Sequence, residues 1–182
     1  MNHHLPLRLF ASVCIFVGFL SSPVWAQQKQ PISISAEGMK SRYVQQLAID
    51  VDDVPGHQVR VLENVRTFPP GKEPIIGGER VIEWWGRGLS NYVAGVGPVF
   101  GYNTLITDKG SKIFVEFIGT SESQTTETGS KRGTYHGTSK FVGGTGRFSK
   151  IRGYLVDVSK FDTDPKSGYT VADSRGEYWF ED

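Results

Sequence analysis

Cysteine is nearly absent: one residue, Cys14, occurs in 182, and it lies in an amino-terminal segment expected to be removed. Residues 1–26 carry Arg8 in a short polar start. The apolar run Leu9 to Leu20 follows, then Ser21-Ser22-Pro23-Val24-Trp25-Ala26 with small or β-branched residues where a signal peptidase reads. A run of twelve residues is too short to span a bilayer. A cleaved secretory signal is therefore expected rather than a stable membrane anchor, and the protein is expected to be secreted or periplasmic. Ala11-Ser12-Val13 before Cys14 makes a poor lipidation box. The remaining 156 residues, a length for one domain, hold no cysteine, which excludes a disulfide framework, a cysteine nucleophile and a thiolate metal site.

An excess of charge of either sign is also lacking. Those 156 residues carry 19 basic and 19 acidic side chains, so no nucleic-acid partner is expected, since that would favour a basic face. Histidine is scarce: only His57 and His136 remain, and neither an H-E-x-x-H nor a G-x-S-x-G pattern occurs. No stretch places apolar residues at helical spacing for three turns, which argues against all-helical and doubly wound folds and most dinucleotide-binding enzymes.

What is present is a β composition: 21 glycines, 8 Phe, 7 Tyr and 3 Trp after the signal. Residues 27–39 read as a flexible lead-in and 40–182 as a single β domain. Short β-prone runs are separated by turn chemistry: 42–51, 57–68, 80–93 with a glycine bulge at Gly86 and Gly88, 99–107, 112–120, 133–141, 148–160 and 169–180. Asp108-Lys109-Gly110 is a hairpin turn signal, and Asp162 to Gly168 reads as another turn rather than a calcium loop, because Lys166 and Ser167 break that pattern. Eight antiparallel strands in about 140 residues suffice for a closed barrel able to hold one small ligand, with two sandwiched sheets as the rival. A regular lipid-facing band is not visible, which disfavours an outer-membrane barrel.

The segment Gly133-Thr134-Tyr135-His136-Gly137, followed by Phe141-Val142-Gly143-Gly144-Thr145-Gly146-Arg147-Phe148 and Ile151-Arg152-Gly153-Tyr154, resembles the late strands of the allene oxide cyclase and dirigent β-barrel family. The resemblance implies a calycin-like closed eight-stranded barrel with an apolar cavity and no cofactor. It implies a role in holding a flexible or reactive small molecule in one conformation. Allene oxide cyclases isomerise by ring closure, dirigent proteins steer the coupling of radicals made elsewhere, and barrels of both kinds commonly assemble as homo-oligomeric trimers. The glycine-rich turn itself leads to no helix, so it reads as a structural turn that drops Phe148 back onto the barrel rather than a phosphate cradle.

A barrel cavity needs ionisable groups on otherwise apolar faces. Glu63 shares a face with Val59, Val61 and Val65; Glu83 with Val81 and Trp85; Glu116 with Phe114 and Ile118. These three carboxylates are the catalytic candidates, since a carboxyl group on an apolar inner wall could move a proton near neutral pH. The alternative is that each faces solvent, pairs with Arg or Lys, or has its facing changed by a bulge. Tyr102 and Tyr135 are candidate hydrogen-bond donors to a ligand. Trp84-Trp85 points one ring inward, and Trp85 joins the ligand-binding candidates. Ala172, Ser174 and Gly176 would leave room inside. Asp157, in line with Ile151, Gly153 and Leu155, is a further ligand-binding candidate if that row reaches the barrel mouth, with a solvated rim position as its alternative, and His136 reads as outward. The functional expectation is a barrel that binds a small apolar or amphipathic molecule and promotes its isomerisation without a cofactor. A carrier without chemistry and a structural or partner-binding barrel are its rivals.

Overall fold

The structure is a computed structural model that describes residues 28–35, 37–127, 131–162 and 169–182. The expected signal and the turn at 163–168 lie outside the described residues. Ten strands form an antiparallel sheet: β1 (Gln30–Ser35), β2 (Met39–Asp50), β3 (His57–Thr67), β4 (Ile75–Ile76), β5 (Glu79–Val93), β6 (Val96–Thr107), β7 (Lys112–Thr125), β8 (Lys131–Gly144), β9 (Ile151–Asp162) and β10 (Tyr169–Phe180). The eight runs expected from the sequence are all strands. Two more were not anticipated: β1, where a lead-in was expected and Ile32 and Ile34 are buried, and the two-residue β4 against β5.

Neighbours follow the order β1-β10-β2-β3-β5-β6-β7-β8-β9, and β9 also pairs with β10. The strong right-handed twist of neighbouring strands curls such a sheet upon itself. The fully closed eight-stranded barrel is not what forms. Strand β1 occupies most of the outer edge of β10, Gln30 to Ser35 against Tyr178 to Asp173, and leaves β2 only two residue pairs with it, Lys40–Tyr169 and Met39–Thr170. An edge can serve one partner at a time, so the seam between β10 and β2 stays a short staple. The loop from Phe68 to Gly78 packs beside it: Phe68 lies against the core, and the Gly77 backbone N–H donates to the Tyr178 hydroxyl (3.1 Å).

Inward side chains at one end form a solid apolar plug. Ile76, Val81, Ile113, Phe141, Phe148 and Ile151 are all fully buried there, joined by Trp84, Leu105 and Tyr178. Each large apolar side chain removed from water in this way contributes about 1.5–3 kcal/mol before the entropy of ordering it is subtracted. The Gly146–Phe148 3₁₀ turn delivers Phe148 to this plug, as expected, and the Thr145 hydroxyl anchors it by accepting from the Lys112 backbone N–H (2.9 Å). The outer wall is also apolar in places. Leu47, Val61, Leu89, Phe100 and Ile118 sit opposite one another across five successive strands, each 40% exposed or more.

Candidate functional site

Beyond the plug the tube is hollow. A cavity of about 1270 Å³ lies between the inward faces of β2, β3, β5 to β10, larger than the roughly 300–1,000 Å³ of most small-molecule sites. It exists because the inward positions of this half are small or polar. On β8, Gly137 and Ser139 replace bulk, and on β7 Gly119 does so. A Cβ on Gly137 would overlap the Tyr135 hydroxyl, so this glycine is what lets the phenol ring lie along the wall. Gly86 makes the same concession to the Asn64 amide. The lining is not the apolar surface expected: Asn64, Arg66, Asn103, Ser139, Asp157 and Ser174 share it with Leu62, Val99 and Phe117.

Five side chains give the cavity its chemistry. Asp157 on β9 is 6% exposed and accepts a short hydrogen bond from the Ser139 hydroxyl (2.5 Å) of the neighbouring strand. Tyr135 on β8 packs edge-on against Phe117 (ring centroids 6.3 Å, interplanar angle 84°), and its hydroxyl is buried with no hydrogen-bond partner among the described residues. Burial, with the Asp157 carboxylate second, pushes its phenol far above the ordinary tyrosine range. It therefore stays protonated and is a donor, not a base. Arg66 on β3 holds its guanidinium over the Trp84 ring (5.7 Å), and burial lowers its pKa, with neighbouring Tyr43, Tyr135 and Asp157 opposing that shift. Finally, Asn64 Oδ1 and Trp84 Nε1 are buried without a hydrogen-bond partner among the described residues. A cavity lined by unpaired donors and acceptors can meet a guest bearing both. Among the described residues, no three metal-ligating side chains of His, Cys, Asp and Glu converge.

The expected site residues divide. Tyr135 and Asp157 face the lumen, and Asp157 lies on the inward row with Ile151, Gly153 and Leu155, deeper than the mouth position expected of it. Ser174 is inward; the side chain of Ala172 lies outside the described residues. Of the three glutamates, Glu63 and Glu116 face outward, and Glu83, with Trp85, only borders the cavity. Glu63 is on the outer wall, ion-paired to Arg87 (2.8 Å) and accepting from Gln45 (3.3 Å), because the apolar face it shares with exposed Val61 is the outer one. Glu83 is turned away from Val81 by a bulge between them, and accepts from the Trp85 indole N–H (2.8 Å). Trp85 itself stands opposite buried Trp84, on the outer face with Arg87 over its ring (5.6 Å). Glu116 and Tyr102 are exposed and border a separate outer depression of about 860 Å³ with Lys140 and Tyr154. That depression is shallow and open to solvent, whereas the unpaired buried groups gather in the lumen. His136 is exposed, as expected.

Arg66, Asn64, Asn103 and Ser139 were missed by the sequence reading. The signal that could have found Asn64 and Arg66 is the alternation Gln58, Arg60, Leu62, Asn64, Arg66 along β3, a largely polar row that reads as a solvent face and is the inner one.

No family model and no curated protein matches the chain. Among solved structures it is similar to a pterocarpan synthase dirigent protein, with 15% identity over 86% of this chain and 96% of that one and a TM-score of 0.39. A likeness at that level supplies no residue correspondence and no activity.

Proposed function

We propose that this chain is an exported binding barrel that encloses one small amphipathic organic molecule in its lumen and promotes its isomerisation by ring closure, without a cofactor. The observation that carries the reading is the Tyr135 hydroxyl, buried without a partner beside a cavity that also holds Asp157. A polar group left in that condition costs about 1–3 kcal/mol, which a guest oxygen accepting its proton would return. In this reading Tyr135 donates a hydrogen bond to a guest oxygen on which negative charge develops, Asp157 on the neighbouring strand of the same wall takes a proton from one guest atom and returns it to another, and the walls hold the guest near its reactive geometry. Homo-oligomerisation belongs to the same proposal, with the apolar row from Leu47 to Ile118 as the surface a second copy would cover.

Native mass spectrometry of the protein purified from its own host tests the binding. A retained small molecule at one per chain is expected, and a chain that never carries a guest and takes up none argues against it. With the guest in hand, Asp157→Asn separates catalysis from carriage. Binding within a few-fold of the parent and turnover lower by about 10²-fold or more mark a general base. A parent protein that binds but converts nothing is a carrier.

A further inference from the structure

One outward row crosses the wall from β3 to β10. It begins with Glu63 and Arg87, ion-paired to each other (2.8 Å), and ends at Glu177, ion-paired to Lys29. Between these ends Tyr102, Glu116, Lys140 and Tyr154 stand opposite one another in turn on β6, β7, β8 and β9. All four are exposed, Tyr102 at 59% and Tyr154 at 49%. None makes a side-chain hydrogen bond or ion pair among the described residues, although Glu116 and Lys140 are directly opposed. The four line the outer depression of about 860 Å³, with Arg152 and Glu181, ion-paired to each other (2.9 Å), at its far side. Its charges therefore balance, two carboxylates against two cations. Two open rings flank a donor and an acceptor that keep their water.

A surface of this make-up selects its occupant. A polyanion meets as many carboxylates as cations. A wholly apolar partner would strip water from Glu116 and Lys140 and return no hydrogen bond. A pyranose suits both features, because its C–H face lies on an aromatic ring while its rim of hydroxyls donates and accepts. The geometry points to this face as a platform for a neutral β-1,4-linked oligosaccharide of equatorially substituted sugars, lying across β6 to β9. Its rings stack on Tyr102 and Tyr154, and hydroxyls between them donate to Glu116 and accept from Lys140, hydrogen bonds strengthened by the charge of the protein group. The two tyrosines are three strand spacings apart, about 14 Å, farther than one sugar ring can bridge, so the ligand is a chain. An extended β-1,4 chain is a flat ribbon that an open wall accepts, whereas a coiled α-linked chain meets it at one ring. This platform is on the opposite side of the wall from the lumen and stands or falls independently of the guest proposed there.

Calorimetric titration of the full chain with cellohexaose, chitohexaose and maltohexaose is the test. At least one of the two β-linked hexamers is expected to bind about tenfold tighter than maltohexaose or more, and the better of them identifies the sugar. Tyr102→Ala and Tyr154→Ala are each expected to weaken that binding about fivefold or more, while Tyr102→Phe and Tyr154→Phe hold it within about twofold, since the ring face carries the stacking. Both positions are exposed, so these variants are expected to fold. Failure of both β-linked hexamers to bind overturns the platform. Equal affinity for maltohexaose overturns the flat-ribbon ligand. Binding unchanged in the Tyr102→Ala, Tyr154→Ala double variant puts the sugar elsewhere on the protein and overturns the site. Sedimentation velocity on the same variants covers the rival occupant: a change in self-association, with no hexamer bound by the parent, makes this face a contact between copies of the chain and overturns the sugar assignment. If an alanine variant does not fold, the comparison of hexamers on the parent and the phenylalanine variants still decides.

Discussion

The plugged half and the hollow half of this sheet are built by the same strands with the same alternation, and they differ only in what the inward positions carry. In the plug those positions hold Ile113, Val115, Phe141 and Ile151, branched or aromatic side chains that interdigitate until no volume is left. In the hollow half the same strands carry Gly119 on β7, Gly137 and Ser139 on β8, and Asp157 on β9. Side chains there leave the lumen unfilled, and among the described residues Asn64 Oδ1, Ser90 Oγ and the Tyr135 hydroxyl have no hydrogen-bond partner. Stability is concentrated at one end of the tube so that the other end can tolerate unsatisfied groups that would be costly in a domain with a single uniform core.

The comparison breaks most visibly in the plug. Phe148→Ala, at a fully buried position, is expected to lower the free energy of unfolding in urea by about 3–5 kcal/mol while the folded fraction still binds guest. A loss below about 1 kcal/mol would mean that the plug does not hold the sheet together. The hollow half should respond in the opposite direction. Tyr135→Phe removes a hydroxyl that has no partner and is expected to raise stability of the guest-free protein by about 1 kcal/mol while lowering turnover. Lower stability in the variant would show that the hydroxyl is satisfied.

A smaller effect belongs to the turn between β2 and β3. His57 faces Asp53 (2.5 Å) and Asn91 (2.6 Å), one at each ring nitrogen, and Asp53 first and Asn91 second raise its pKa. A raised folded-state value means that the contribution is complete below the unfolded value near 6.5 and is lost as pH rises through the folded one. The Asp53 side of the same pair, held low by His57, is lost only as pH falls through the folded carboxylate value. Thermal melts from pH 5 to 9 should therefore show the parent losing an increment of stability on the alkaline side that His57→Asn never has. Parallel profiles for the two proteins would dismiss the latch. Least of all should change at the outer wall: Glu116→Gln, at an exposed position, is expected to shift stability by no more than about 0.5 kcal/mol and to leave turnover intact.

The same contrast explains which parts of the molecule were legible in the sequence. Eight strands could be read because runs of β-branched and aromatic residues end at turn residues, and Gly110 takes the positive φ (78°) that its hairpin requires. Strand β1 escaped notice because only Ile32 and Ile34 mark it in a polar stretch, and its pairing is entirely with the other end of the chain. Tyr135 and Asp157 were readable because glycines and small residues flank them on the inward rows. Glu63 was misread for a physical reason: alternation identifies a strand but not which of its faces is interior. Here the lumen is partly polar and the outer wall partly apolar, so the usual assignment of Val59 and Val61 to the inside is reversed, and Arg66 and Asn64 take that side instead. Glu83 failed differently, because one extra residue, Ile82, flips every facing that follows Val81.

The two-pair staple between β10 and β2 has a kinetic meaning. A wall that is continuous everywhere else but fastened there by so little backbone can part along that line without disturbing the plug, since sub-global opening draws on the least-bonded elements first. Amide deuteration should begin at residues 39–40 and spread toward β3 well before it reaches β6 and β7, making this slit a side door through which a molecule too broad for the mouth could slip in and out.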